Sequence, residues 1–527
     1  KDGRDVSLPA ILKTVKNHLN RQIPPEAHTS MYLWHKYWSR KTWNVVGEFI
    51  KTYCPEGGIV FDPFAGSGIV AMEALKNGRR AIVCDLNPIA TEITRLTIKP
   101  VNELQLHEAF KRVEEKIKNK IESLYLTKCR KCGKEIVFDC AIWQGTECVE
   151  IRYRSCPHCG DRQEKNCKPV KYDKDLLMAI EGKKIKEWYP KNPLYYPDGM
   201  PFMKREKYES IDNLFTKRNL QTLAWLMEAI EEEPKKDLRD FLKIGFSSMS
   251  HLCSRLLAEG RPGYRPFSGV GWNQQSYWYT PRYMESNVLE KFDSAINGHQ
   301  GLLKAKVESN KYFKDIKIAS SFEQVISGAA DVYIYNGSCL DLMKELPEGV
   351  IDYIFTDPPY DAAIQFGELS YMWAAWLRMN GDYLDKILSS EVVRNERQHK
   401  DFTVYHTLLS SSFQKMFKIL KPENYLTLTF HNPTFKVRNA TIRAGVFSGF
   451  ELQKIHHQEL ARPSAKSLLQ PFGSAQGDFY LRFRKPDEAV SQPVEIDEAR
   501  FEKIVVDSTI ALLAERAEPT PYTIIIN

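Results

Sequence analysis

The sequence has no long apolar run, and this absence removes the simplest membrane interpretation. A membrane-spanning helix needs about 18 consecutive apolar residues. No stretch of the 527 residues comes close to that length. No secretory signal peptide is visible, although the printed sequence begins with Lys1 and not with methionine. We therefore expect a cytoplasmic protein of prokaryotic type that has no membrane partner.

A large excess of charge and a disulfide framework are also missing. The formal net charge is +7, which permits nucleic-acid binding without requiring it. There are 11 cysteines, an odd number, and four of them lie in two close pairs. That usage fits a metal site in a reducing compartment better than paired disulfides. The length predicts about three domains, and an apolar content of 43% can support a sizeable core.

The most informative motif is Asp-Pro-Pro-Tyr at residues 357–360, directly after an apolar stretch at 351–356 that we predict to be a buried strand. The Asp357 carboxylate and the Pro358 carbonyl oxygen can accept the two hydrogens of an exocyclic amino group, while Tyr360 stacks on the ring. Prolines fix the backbone and leave no donor unsatisfied. The motif predicts a cleft for a flat nitrogenous base, although a strand that ends in a simple proline turn has the same local sequence.

A second motif, far upstream, predicts a site for a nucleoside-type ligand. Residues 58–75 are typical of a strand, a glycine turn and a helix, and residues 80–85 are typical of a second strand that ends in Asp85. Gly66 and Gly68 let the backbone pass close to a ligand, and an acid at the end of the second strand can accept ribose hydroxyls. The dinucleotide fingerprint needs a third glycine, which this turn does not have.

These motifs together resemble the S-adenosylmethionine-dependent DNA amino-methyltransferases. The turn from Phe64 to Gly68 is similar to that family's cofactor loop, and residues 357–360 are similar to its catalytic tetrapeptide. Residues 335–349 resemble the approach to the tetrapeptide, with Ser338 where many members carry an acid. The segment around Lys41 is similar to a cofactor-covering segment, although many members have Lys-Pro where this chain has Lys-Thr.

Two Cys-x-x-Cys knuckles, each followed by glycine, narrow the resemblance. Cys129 and Cys132 form the first, and Cys156 and Cys159 form the second. Four thiolates at this spacing suit tetrahedral Zn²⁺ with no open position for water, so we expect a structural metal. A set of unrelated buried cysteines is the alternative. With this feature the chain resembles the adenine-specific DNA methylases that contain a zinc ribbon, over roughly residues 30–485.

The resemblance implies an enzyme that moves a methyl group from S-adenosylmethionine to N6 of an adenine flipped out of double-stranded DNA. The implied catalytic residues are Asp357, Pro358, Pro359 and Tyr360. The implied cofactor-binding residues are Lys41, Asp62, Phe64, Gly66, Gly68 and Asp85. The alternatives are N4 of cytosine in DNA, an amino group in RNA, and a zinc-ribbon nucleic-acid-binding protein with an inactive core. Whether a restriction or defence subunit accompanies the chain stays open, as does its oligomeric state.

The order of the motifs predicts an α/β fold, in which a Rossmann-like methyltransferase sheet is interrupted by a large insertion with a zinc ribbon and a mainly helical recognition region. The predicted divisions are residues 1–100 for an N-terminal arm and the cofactor half, 101–170 for a helix and the zinc ribbon, 171–330 for target recognition, 331–485 for the catalytic half, and 486–527 for a C-terminal extension.

Basic and aromatic residues crowd a glycine-rich stretch between about residues 260 and 282. Arginine and aromatic side chains on such a stretch suit phosphate contact and base stacking, although a packed loop has the same composition. A solvated helix end is equally consistent with the basic pair near residue 217. The candidate nucleic-acid contacts are Lys217, Arg218, Arg261, Arg265, Trp272, Trp278 and Arg282. His431, at a predicted strand end, either lines the base pocket or is a satisfied loop histidine.

Overall fold

The computed structural model describes residues 19, 21–202, 209–260, 267, 277, 280–431, 435–459 and 477–487. The chain divides into two compact units, residues 1–485 and 486–527. Nearly all the described residues lie in the first unit. No helix in the described ranges combines the length and the apolarity needed to cross a membrane.

Strands and helices of the first unit are numbered in chain order. The strands are β1 (Ile59–Asp62), β2 (Arg80–Asp85), β3 (Leu126–Lys128), β4 (Glu135–Val137), β5 (Cys140–Gln144), β6 (Glu147–Arg152), β7 (Arg282–Ser286), β8 (Val332–Asn336), β9 (Ile351–Thr356), β10 (Leu420–Phe430), β11 (Glu451–Glu459) and β12 (Gly477–Arg484). The helices are α1 (Ser30–Leu33), α2 (Trp43–Tyr53), α3 (Ile69–Lys76), α4 (Pro88–Ile98), α5 (Glu103–Glu122), α6 (Lys171–Glu181), α7 (Lys217–Glu231), α8 (Lys236–Ser250), α9 (Val288–Asn297), α10 (Leu302–Phe313), α11 (Phe322–Ile326), α12 (Cys339–Glu345), α13 (Phe366–Trp376), α14 (Phe402–Ile419) and α15 (Phe435–Phe447).

The central sheet has the strand order β11-β12-β10-β9-β1-β2-β8. The run from β10 to β8 is parallel, and β12 and β11 add an antiparallel hairpin at one edge. Strand order reverses between β1 and β9, which pair directly with Phe61 opposite Ile354. In open parallel sheets this reversal leaves a crevice at the carboxyl ends of the strands, where ligands bind.

Every residue of β1 and β9 is buried, because helices cover both faces of the sheet. Val60 and Phe355 point into a core formed with α2 and α3. Phe61 and Ile354 point into the opposite core, formed with α12 and α14. The expectation of an α/β protein with a mostly parallel sheet is therefore confirmed, whereas the division into functional regions stays a prediction.

The chain between β2 and β8 contains a β3–β4 hairpin, a small sheet of order β6-β5-β7, and helices α5 to α10. The small sheet joins distant parts of this region, because β7 pairs with β5 and sets Ser286 opposite Cys140. The helices share a separate apolar core that includes Phe110, Phe241 and Phe292.

Helix α13, which follows the Asp-Pro-Pro-Tyr segment, is buried in that separate core. Trp373 and Trp376 are both 0% exposed. The Trp376 ring meets the rings of Phe215 and Phe246 edge to face, with centroid distances of 5.9 and 5.3 Å. The Trp373 ring stacks on Trp38 at 5.1 Å. Trp376 therefore packs α13 against the region between β2 and β8, and Trp373 packs it against the segment before α2.

A buried ion pair joins α7 to β7. Arg218 Nη1 lies 3.4 Å from Glu285 Oε2, and the two side chains are 2% and 0% exposed. The Arg218 guanidinium also lies over the Phe138 ring at 4.9 Å. Glu285 accepts further hydrogen bonds from Trp143 Nε1, at 2.7 Å, and from the Thr216 hydroxyl. Removing one member of such a pair leaves the other charge buried without compensation.

We expect Arg218→Met to lower the free energy of unfolding by about 3 kcal/mol, because Glu285 is left as an unpaired buried charge. Denaturant unfolding measures the loss. Lys217→Met is the matched control on the same helix, since Lys217 is only partly buried, and its expected change is below about 0.5 kcal/mol. Equal losses in the two variants would contradict the structural role of Arg218.

Candidate active site

The glycine turn after β1 is held open by an acid at the end of β2. Gly66 and Gly68 have φ of 51° and 82°, which side chains with L chirality rarely adopt. A Cβ on Gly68 would lie 2.4 Å from the Thr94 side chain. Asp85 Oδ2 accepts the Gly66 N–H at 2.7 Å, and Asp85 Oδ1 accepts the Asn87 N–H at 2.8 Å. Burial raises the pKa of Asp85 to about 6.

Asp62 links the ends of the two central strands. Its Oδ1 accepts hydrogen bonds from the Thr356 hydroxyl at 2.8 Å and from the Phe64 N–H at 3.0 Å. Thr356 is the last residue of β9 and directly precedes Asp357. Burial raises the pKa of Asp62 to about 8, against the two hydrogen bonds. Asp62 therefore holds in place the residue that directly precedes the Asp-Pro-Pro-Tyr segment.

Both sequence motifs line one cavity, which opens to solvent. The candidate residues among its lining side chains are Lys41, Asp62, Phe64, Gly66, Asp85, Asp357 and Pro359. Gly68, Pro358 and Tyr360 are their neighbours in sequence. Ser338, at the end of β8, also lines the cavity. The fold therefore brings together, at the carboxyl ends of the central strands, stretches of chain that are almost 300 residues apart.

Several lining residues carry no recognisable sequence signal. Glu391 is 7% exposed, and its Oε1 accepts the Gly367 N–H at 3.0 Å. Burial raises the pKa of Glu391 to about 7. Arg40 donates from Nε to the Ser67 hydroxyl at 3.0 Å. Glu391 follows the π-helix Tyr383–Leu388 and belongs to neither motif, so only the folded chain identifies it as part of this cavity.

Asp357 lines the cavity and lies among three donors. Its Oδ1 accepts hydrogen bonds from the Tyr360 hydroxyl and from Thr429 Oγ1, the latter at 2.5 Å. Lys41 Nζ lies 3.3 Å from the same oxygen. Burial raises the pKa of Asp357 to about 6, and Lys41 opposes this shift. The Tyr360 ring stands edge to face against Phe430 at 5.4 Å.

Lys41 does more than line the cavity. Its ammonium lies 2.9 Å from Asp478 Oδ2 as well as 3.3 Å from Asp357, and 5.3 Å from the centre of the Tyr360 ring. His431 Nδ1 lies 3.1 Å from the other oxygen of Asp478. The hydrogen bond to Asp478 raises the pKa of His431. His431 is thus held by a local carboxylate, and Asp478 has no counterpart in the sequence analysis.

The four predicted zinc ligands meet at one point. The Sγ atoms of Cys129, Cys132, Cys156 and Cys159 all lie within 4.8 Å of one another. Sγ of Cys129 is 3.6 Å from Sγ of Cys159, and Sγ of Cys132 is 3.7 Å from Sγ of Cys156. A Zn–S bond of about 2.3 Å in a tetrahedron separates sulfurs by about 3.8 Å. The donor set therefore fits Zn²⁺ in kind and in spacing.

Three of the candidate nucleic-acid residues lie in described segments, and each is engaged within the protein. Arg218 is buried against Glu285, which argues against contact with phosphate. Arg282 pairs with Glu259 and, at 2.8 Å, with Glu150, while its side chain stays 39% exposed. Lys217 donates to the carbonyl oxygen of Glu181. The remaining candidates, which lie outside the described residues, are Arg261, Arg265, Trp272 and Trp278.

Comparison with known proteins gives one family and several remote structural likenesses. A protein of Thermus thermophilus described as a DNA modification methylase is 14% identical, with a TM-score of 0.19, and the match covers 33% of this chain and 61% of that one. Its complex with S-adenosyl-L-methionine gives 16% identity, a TM-score of 0.16, and the same coverage of 33% and 61%. A protein of Bordetella parapertussis described as exported gives 9% identity, a TM-score of 0.16, and coverage of 32% and 52%.

At these identities and TM-scores, the structural likenesses carry no functional conclusion. The chain matches about three fifths of the length of the Thermus protein. No curated protein matches the chain. The family model for DNA methylases of the N6/N4 type matches residues 8–95, a segment that includes Lys41, the glycine turn and Asp85. By this match, residues 8–95 are similar to DNA methylases of the N6/N4 type.

Proposed function

We propose that the chain is a methyltransferase that moves a methyl group from S-adenosylmethionine to an exocyclic amino group in double-stranded DNA, with N6 of adenine as the target. One observation carries the proposal: the glycine turn and Asp357 line the same cavity, at the carboxyl ends of the adjacent strands β1 and β9. The DNA methylase match over residues 8–95 supports the same activity. Adenine is preferred because, in the family the motifs resemble, a leading Asp goes mostly with adenine.

The chemistry of the cavity fits S-adenosylmethionine. Asp85 and Glu391 are acceptors for ribose hydroxyls or an ammonium group, and Arg40 is a donor for a carboxylate. Tyr37 and Phe366, whose rings stack at 6.0 Å, give an apolar wall for an adenine ring. When bound, the cofactor supplies a methyl group on positively charged sulfur, which a nitrogen lone pair can take in one displacement.

Asp357 and Pro358 make the amino group of the base more nucleophilic. The lone pair of an aromatic amine is delocalised into its ring, which makes the nitrogen a poor nucleophile. Hydrogen bonds from the amine to the Asp357 carboxylate and the Pro358 carbonyl favour a tetrahedral nitrogen with a localised lone pair. As the bond between the methyl carbon and sulfur broke, the nitrogen would gain a bond to carbon and a positive charge, and Asp357 could take the proton that must then leave. Rate enhancement comes from positioning and electrostatics, with no covalent enzyme intermediate.

The target base has to leave the duplex to reach this cavity. Flipping costs a few kcal/mol. Stacking on the Tyr360 face returns roughly 1–3 kcal/mol. That ring is half-buried and makes an edge-to-face contact with Phe430, which helps to hold the ring in place. Tyr360 thus combines two tasks, since its hydroxyl also donates to Asp357.

We expect Asp357→Ala to reduce methyl transfer by at least about 10³-fold, because the amino group loses its principal acceptor. Mass spectrometry of nucleosides from unmethylated genomic DNA, treated with the enzyme and S-adenosylmethionine, measures N6-methyladenine and N4-methylcytosine separately. Cofactor affinity, measured by calorimetry, should change less than about tenfold, because in this proposal Asp357 contacts the amino group of the base and not the cofactor. N4-methylcytosine without N6-methyladenine would replace the adenine assignment, and methylation of RNA alone would replace the DNA assignment.

Cofactor affinity should rise with pH. Burial holds the pKa of Asp85, Glu391 and Asp62 between about 6 and about 8, so these groups are partly protonated near neutrality. A cationic sulfonium favours their ionised forms, and binding therefore releases protons. We expect the Kd of S-adenosylmethionine to fall about threefold to tenfold from pH 6 to pH 7.5. Calorimetry in two buffers of different ionisation enthalpy measures the protons released. S-adenosylhomocysteine, which lacks the sulfonium charge, is the control, and an equal pH dependence for both ligands would contradict the prediction.

We also propose that the four-cysteine cluster holds a structural Zn²⁺, because four thiolates leave no open position for water. Cys132→Ser should reduce the zinc content, measured by plasma mass spectrometry, from one ion per chain to far below one, and should lower the thermal midpoint. Cys148→Ser, outside the cluster, should retain both. Unchanged zinc content in Cys132→Ser would contradict the assignment.

A further inference from the structure

Two segments that are distant from Asp357 in the sequence place charged side chains near it. Lys41 comes from the segment before α2, and Asp478 comes from β12 near the end of the sheet. Lys41 and Asp478 are 8% and 4% exposed. The Lys41 ammonium lies between two carboxylates, 2.9 Å from Asp478 and 3.3 Å from Asp357. One buried cation is therefore shared by two acids, and it lies closer to the one outside the tetrapeptide.

Lys41 and Asp478 have opposite effects on the ionisation of Asp357. Electrostatic interactions are strong here because the site is largely removed from solvent. The positive charge of Lys41 favours the ionised form of Asp357, whereas the negative charge of Asp478 disfavours it. The same two contacts hold the Lys41 side chain in place. Each residue can thus be tested by the sign of its effect on Asp357.

We propose that Lys41 and Asp478 are positioning residues that set the ionisation of Asp357 from opposite sides. Lys41 keeps the carboxylate ionised, so that it accepts hydrogens of an amino group. The negative charge of Asp478 offsets part of the positive charge of Lys41, so that the Asp357 carboxylate stays basic enough to take a proton. The catalytic meaning of this balance rests on the proposed function, whereas the coupling among the three charges does not.

Other groups face the same three side chains and have to remain unchanged in any test. His431, at the end of β10, contacts Asp478 at 3.1 Å. Tyr480 on β12 interacts with Lys41, and the Tyr360 hydroxyl donates to Asp357. Asp62, at the end of β1, interacts electrostatically with Asp357. Single substitutions at residues 41 and 478 leave all four of these groups present.

A purely architectural role gives a different expectation. If the ion pairs only tied β12 and the segment before α2 to the sheet, substitution of either residue would loosen the site. Activity would then fall in both variants, and the pH dependence of the remaining activity would keep its shape. Loosening of the site would not shift the pKa of Asp357 in opposite directions in the two variants. The direction of each shift therefore distinguishes an electrostatic role from an architectural one.

The direct test is titration of Asp357 in the full chain. Protein labelled with ¹³C at aspartate carboxyl carbons is titrated by NMR, and the signal missing from Asp357→Asn is assigned to residue 357. The expected result is that Lys41→Met moves this titration to higher pH and Asp478→Asn moves it to lower pH, each by about one pH unit. Asp341→Asn, at an exposed carboxylate on α12, is the matched control and should leave the titration in place.

A kinetic test uses single-turnover methyl transfer to unmethylated genomic DNA. At saturating cofactor, the midpoint of the acid limb of the rate profile should move to higher pH in Lys41→Met and to lower pH in Asp478→Asn. Raising the pH should then recover most of the ionisation-dependent loss in Lys41→Met. Lys41→Arg keeps the charge and should keep the limb near its original position. If Lys41→Met does not fold by circular dichroism, Asp478→Asn decides, since an unmoved titration would overturn the proposal.

Failure of this inference is distinguishable from failure of the proposed function. Opposite titration shifts without methyl transfer by the wild-type chain would support the charge coupling and remove its catalytic meaning. Methyl transfer with no titration shift, or with shifts of the same sign, would support the function and overturn the coupling.

Discussion

The parallel pairing of β1 with β9 is the contact on which the rest of the candidate site depends. It sets the glycine turn next to the Asp-Pro-Pro-Tyr segment, and the Asp62–Thr356 hydrogen bond fixes the two strand ends at 2.8 Å. Both strands are buried along their whole length, so a shift in their register would move apolar side chains out of two cores at once. Packing of the sheet therefore determines the geometry of the cavity.

The same burial explains the electrostatics of the cavity. Asp62, Asp85, Glu391 and Asp357 all have pKa values raised mainly by removal from water. Holding several acids in such a place is unfavourable without a compensating charge. Lys41 compensates one of them within the protein. The others suit a ligand that carries its own positive charge, which is the property of a sulfonium and not of its thioether product.

Local sequence patterns predicted the parts of the site that are formed by short contiguous segments. The glycine turn, the tetrapeptide and the cysteine knuckles each carry their own backbone requirement or donor spacing, so they can be recognised without the fold. Glu391 and Asp478 contribute through contacts between distant segments, and no local pattern marks them. Arg218 illustrates the opposite error, since a basic residue at a helix start resembles a surface contact until its buried partner, Glu285, is known.

The two tryptophans of α13 have a consequence for modularity. Because Trp373 and Trp376 complete the core of the region between β2 and β8, that region's packing depends on a helix encoded after β9. Removing the region between β2 and β8 would expose the two indoles on the remaining chain. The isolated region would in turn have a cavity in its core where the indoles had packed. Any graft that preserves cooperative folding would have to carry α13 with it, even though this helix follows β9 in the sequence.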